Sequence, residues 1–304
     1  MTNTDTIAMS KSGTPFSGLG RMIGAELFKL RKRTMTKVLI IILVAVIALV
    51  NFLFLAISKL PPIGSGQGIA RIQDYLGLSA AIPFALYLIA SFGSVLAIIM
   101  AASSMGNEYN WKTIRTALIS SESRFKFLTA KLVSLAILIL AGMLIGVVAG
   151  FIMGLVTTGI GGYAYNFSFA TGSYFWEQFL QFWRTFFVIT PYALLGFLMA
   201  IVGRSAMPGI SAGIGVLFLE SIITMFMVLA GGWIAKVPDY LLSANVNAIT
   251  ALNNLPQGFG REMGNGGTSQ TLPSVPHAFL ILGIYAMAFL ALGYYLFRKR
   301  DVTG

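Results

Sequence analysis

Six apolar runs, each close to the length of a bilayer crossing, constrain this chain more than any other feature. They are Val38–Ile57, Ile82–Ala102, Leu132–Val156, Phe186–Val202, Gly209–Ile234 and Ala278–Phe297. A helix needs about 20 apolar residues to cross the hydrocarbon core, where every backbone polar group must be satisfied within the protein. The chain is 57% hydrophobic and only 10% charged, against roughly a quarter charged in soluble domains. The pattern predicts an all-α polytopic membrane protein with six transmembrane helices. Zero cysteines exclude disulfides and thiolate metal sites, and the single histidine, His277, excludes a multi-imidazole centre.

The basic residues sort by loop. Sixteen of the 21 lysines and arginines fall on one side of the six runs, and Lys59, Arg71, Arg184, Lys236 and Arg261 on the other. The positive-inside rule then predicts both termini in the cytoplasm and a cell-membrane location. The net charge of +11 is read as contact with anionic lipid headgroups, not nucleic acid, because the cations cluster at span ends. Residues 1–17 read as a disordered tail. Residues 18–36 read as an amphipathic interfacial helix, with Leu19, Met22, Ile23, Leu27 and Leu30 on one side and Arg31-Lys32-Arg33 at its end. Glu26 lies within that apolar arc and calls for a basic partner. The six-span domain fills 37–304.

Three further features stand out. Met105–Lys131 is a charged island between the second and third spans, holding Glu108, Lys112, Arg115, Glu122, Arg124, Lys126 and Lys131. It reads as one or two short helices at a membrane face, broken near Ser120-Ser121. Such an island either sets topology alone or docks a soluble partner. The third span carries Gly142, Gly146, Gly150 and Gly154, four residues apart and so on one helical face. They either pack tightly within one subunit or line a dimer or sliding surface. Glu220 sits inside the fifth span, with Asn51 and Thr224 as candidate polar neighbours, and its roles range from a buried structural acid to a substrate or proton site. The outer loop 159–182 is aromatic and nearly uncharged. The outer loop 235–276 is Asn/Gly/Pro-rich and reads as an exposed flap with a short helix.

No phosphate-binding G-x-x-x-x-G-K-[ST] segment occurs, GLGRMIG at Gly18 has the wrong glycine spacing for a dinucleotide fingerprint, and no nucleophile with a base emerges. The chain is not read as an enzyme.

Three stretches together resemble the permease subunits of ABC transporters of the type-2 exporter class. AELFKLRKR at Ala25–Arg33 is similar to that family's connecting helix, with Glu26, Lys29 and Arg31 in the matching places. NEYNWKTIRTALISSESRFKFLTAKL at Asn107–Leu132 is similar to its coupling segment, although Lys112 stands where the family often has glycine. The Gly203-Arg204-Ser205 turn and the terminal LFRKRD complete the ordered set. The resemblance implies a six-span permease paired with a second permease subunit, identical or homologous, and docked to a separate cytoplasmic ATPase that holds ATP and Mg. No cofactor is implied for this chain. It further implies that Glu108, Tyr109, Trp111, Lys112, Thr113, Arg115 and Arg124 couple to that ATPase, and that Glu26 pairs with Lys112, Arg115 or Arg204. Two other classes compete: a membrane scaffold that transports nothing, and an ion-coupled carrier working through Glu220. The cargo is not legible.

Overall fold

A computed structural model describes residues 15–60, 75–111, 123–162, 164–253 and 272–299. Those residues form nine α-helices and no strand. Helix α1 (Pro15–Lys32) is followed after one residue by α2 (Thr34–Ser58). The second span is composite. It opens with a 3-10 turn at Leu78–Ala80, continues as α3 (Ala81–Leu88), widens into a π-helical turn at Ile89–Gly93, and ends as α4 (Ser94–Asn110). Then follow α5 (Arg124–Gly161), α6 (Gly172–Gly203), α7 (Ala206–Ala230), a 3-10 stretch Ile234–Tyr240, α8 (Leu242–Thr250) and α9 (Val275–Lys299). Six of these segments are long and apolar enough to cross a membrane.

The ends of the helices follow from local chemistry. Ser123 caps α5 by accepting from the Lys126 N–H at 3.1 Å, which sets the helix start, while the expected break at Ser120-Ser121 lies outside the described residues. The third span therefore begins at Arg124, two turns before its apolar run. Gly162 ends it at φ 72°, in the left-handed region where a side chain would strain. Thr171 caps α6 through the Tyr174 N–H at 3.3 Å. The aromatic stretch from Tyr174 onward, expected as an outer loop, is thus the first turns of α6. Phe175, Phe179 and Phe182 recur at helical spacing, a period the run's high aromatic content obscured.

Glycine decides which helices meet. A Cβ on Gly150 would strike the Ala85 side chain, and one on Gly154 would strike Ala81, so α5 closes directly onto α3. Gly146 meets Ile89, whereas Gly142 faces open space beside a small apolar crevice of about 50 Å³ between α2, α4 and α5. The stripe is an intramolecular seam for three of its four members. On the other side, Gly209 abuts the Gly196 carbonyl and Ala102, and Gly213 abuts Ile98, which locks α4, α6 and α7 together. Two apolar clusters result. The larger runs through α2 to α6, and the smaller joins Ile98, Val188, Tyr192, Leu242, Ile249 and Leu282.

That second cluster overturns the expectation of an exposed flap over its first part. The segment 234–253 folds back against α6, α7 and α9, with Leu242, Ala248 and Ile249 buried. Asn245 holds the turn, donating to the carbonyls of Asp239 at 2.8 Å and Leu241 at 2.6 Å. Residues 254–271 lie outside the described residues.

Candidate functional site

At the basic end, α1 lies across the start of α5 and the end of α4, and five charged side chains meet beneath it. Lys131 is fully buried. Its ammonium donates to Glu26 Oε2 at 2.9 Å, to the Ser104 carbonyl at 3.2 Å and to Glu108 Oε1 at 3.3 Å. Three donors thus find three acceptors, the condition under which a buried cation is tolerated. Lys29 bridges the same carboxylates, at 2.9 Å from Glu26 Oε1 and 3.0 Å from Glu108 Oε1. Arg33 reaches Glu108 Oε1 at 3.3 Å and lays its guanidinium over the Trp111 ring at 5.1 Å. Ser134 adds a bond to the Ile23 carbonyl at 3.1 Å.

Burial alone would raise the Glu26 carboxyl. Lys131 beside it, then Lys29, outweigh that and hold it below the usual carboxylate range. Burial works against the Lys29 ammonium, but its bonds to Glu26 and Glu108 raise it above its ordinary value. Both groups are therefore charged at neutral pH, and the cluster is a set of ion pairs.

This arrangement differs from the expected one. Glu26 pairs with Lys131 and Lys29. Arg204, one of the three partners expected, is exposed at the α6–α7 turn with φ 51°. The others, Lys112 and Arg115, lie outside the described residues, as does Thr113. Glu108 is 1% exposed and faces inward, so it clamps helices together and presents no side chain to a partner. Tyr109 packs partly buried against the larger apolar cluster. Trp111, by contrast, is 62% exposed on its outer face. Arg31 is exposed, and Arg124 is exposed and donates to the Arg298 carbonyl at 3.2 Å. Lys131, the hub, reads from sequence as a charge of the island and as the basic residue opening the third span, not as a partner for Glu26. The missed signal is its position: it sits flush with the apolar run of the third span, where a free lysine would be buried.

A second polar locus lies midway along α7. Glu220 is 7% exposed, and its Oε1 accepts the Ser243 N–H at 3.0 Å. The Leu242 N–H and the Ser243 hydroxyl stand beside it, so this carboxyl caps the N-terminus of α8 from another helix. The cap residue of α8 itself, Leu241, has no side chain able to do so. The neighbours expected for Glu220 do not bond to it. Asn51 donates to the Ile47 carbonyl of its own helix at 2.8 Å, and Thr224 Oγ1 has no partner among the described residues. Neither locus gathers a metal-binding group of His, Cys, Asp and Glu among the described residues.

The chain is similar to uncharacterized protein YhcI of Bacillus subtilis (strain 168), at 26% identity over 214 residues, which are 68% of this chain and 63% of that protein. It therefore spans less than two thirds of that relative's length. Glu108, Lys131 and Glu220 lie within a second match, over residues 69–303, while Glu26, Lys29 and Arg33 precede it. By that second match, the chain belongs to the protein family described as protein of unknown function, DUF2705.

Proposed function

We propose that this chain is the membrane-spanning permease subunit of an ATP-driven exporter of the type-2 ABC class, with its basic end in the cytoplasm. The observation that carries the reading is the buried ion cluster. It ties α1, the end of α4 and the start of α5 into one body at the basic end, with Trp111 projecting from it. A push applied to that body reaches three spans at once, because Lys131 lies in the third, Glu108 ends the second and Arg33 leads into the first. A buried lysine whose three donors are all bonded, as in Lys131, has one geometry and transmits displacement without slack. The chain holds no nucleotide-binding loop, so ATP and Mg belong to a separate ATPase. Two copies, or this chain and a homologue, complete the transporter.

The test is capture and turnover together. The tagged chain, purified from native membranes, is expected to bring down a P-loop ATPase and to raise its hydrolysis rate in vesicles. Trp111→Ala is expected to lose that ATPase while keeping its own membrane level. Recovery of the chain without any ATPase, or an ATPase indifferent to Trp111, would sink the proposal. A captured ATPase whose rate no cargo alters would move the assignment to a scaffold.

A further inference from the structure

The cap on α8 leaves an imbalance at Glu220. One carboxyl oxygen faces a helix N-terminus, and the other, Oε2, is buried with no hydrogen-bond partner among the described residues. One turn along, Thr224 Oγ1 is 8% exposed at the residue level and equally without a partner. No lysine, arginine or histidine forms an ion pair with Glu220 among the described residues. The groups that face it are neutral. Tyr192 of α6 and Tyr285 of α9 lie close enough to feel its charge, and Tyr285 itself donates to the Tyr240 carbonyl at 3.1 Å. The 3-10 stretch packed on α7 contributes Lys236, which is exposed, and Asp239 with Tyr240. Helix α8 carries no titratable side chain, and α4 has its acid, Glu108, at the far basic end.

An ionised carboxylate here keeps only the N-terminus of α8 as compensation. A protonated one retains the acceptor at Oε1 and leaves no charge on the unpartnered Oε2. Ionisation is relieved by letting the segment 234–253 lift and water enter. We propose that Glu220 is a proton-binding site that seats this segment: with the carboxyl protonated the segment stays docked on α6, α7 and α9, and with the proton gone it loosens. The sign follows from the geometry, since lifting the segment lets water reach the unpartnered Oε2 and compensate its charge. This inference is independent of the transport reading.

The chain has no cysteine, so a single introduced thiol is a unique reporter. Ala248, 3% exposed on the docked segment, becomes Ala248→Cys, and Ser168→Cys on the exposed loop before α6 corrects for intrinsic thiol reactivity. The full chain in detergent micelles is labelled with a polar methanethiosulfonate between about pH 5 and about pH 9. The corrected rate is expected to rise about tenfold with pH when Glu220 is present, and to stay flat in Glu220→Gln. His277 holds the same segment through the Asp239 carbonyl at 3.1 Å, so His277→Gln is run in parallel and is expected to keep the rise. A flat rate in the protein that retains Glu220 overturns the proposal, whatever the variants do. So does an undiminished rise in Glu220→Gln, or its loss in His277→Gln.

Discussion

Lys131 has three N–H groups and finds three acceptors on two other helices, one on α1 and two on α4, while Glu26 and Glu108 each serve two or more cations. Removing one member leaves the others buried and uncompensated, which typically costs about 3–5 kcal/mol. Lys131→Met is therefore expected to lower the midpoint of thermal unfolding in detergent sharply, and Glu26→Gln to do so less. The double variant should be clearly less damaged than the two losses added together, because each single change already breaks the shared pair. Additive losses would separate the two residues. The pH response has a defined sign. The Glu26 contribution is complete above the ordinary carboxylate pKa of about 4.3 and disappears as pH falls through the lowered folded value. The Lys29 contribution is complete below about 10.4 and disappears as pH rises through the raised one. Protection of α1 from protease should be flat between those limits and fall outside them. That Glu26 needed a cation was legible from its place in an apolar arc. Which cation was not, because the choice among lysines depends on how α1 crosses α5, and no spacing in the chain encodes that crossing.

Among the elements, the four-residue glycine repeat was readable as a face, but its occupant was not. The contact with Ala81 and Ala85 requires knowing that the second span lies against the third. Gly150→Leu should drive a side chain into Ala85 and cost more than the roughly 1–3 kcal/mol of ordinary overpacking. Gly142→Ala, where an added Cβ meets nothing within 4 Å, should be neutral or mildly stabilising from helix propensity alone. Thermal unfolding of the two variants side by side reads the difference. Equal effects would mean that the stripe is not a seam. A short helix in this outer loop is legible, but its burial against α6, α7 and α9 is not, for a related cause. Its apolar residues, Leu242, Val246 and Ile249, do fall at helical spacing, but the surrounding Asn, Ser and Pro carry the stronger turn signal.

For the whole molecule, the segregation of charge fits the helix ends. Arg33, Trp111, Arg124, Arg204 and Arg298 belong to one end, and Lys59, which donates to the Ile160 carbonyl at 3.3 Å, and Arg184, which donates to the Leu252 carbonyl at 3.2 Å, to the other. The orientation in a cell is an expectation of the positive-inside rule. In intact cells, a membrane-impermeant thiol reagent should label Ser168→Cys and leave Trp111→Cys unlabelled until the membrane is opened. The reverse pattern would invert the topology and remove the docking surface from the cytoplasm. The number of membrane-length helices was legible because apolar length is a direct physical requirement of the bilayer. The polar interior was not, since it rests on a handful of side chains brought together from distant parts of the chain.

The wide turn at Ile89–Gly93 has a consequence for how this span tolerates change. A π turn holds one residue more than the regular helix on either side of it, so the two halves of the span are already in register without that residue. Loss of Phe92, which is 46% exposed, would tighten the turn and leave both flanks where they are. The same single-residue deletion at Leu96 would turn everything after it by about 100°, carrying Glu108 off Lys131. Two deletions four positions apart should thus give one folded chain and one that never reaches the membrane, and the span's only spare residue would be found by its dispensability.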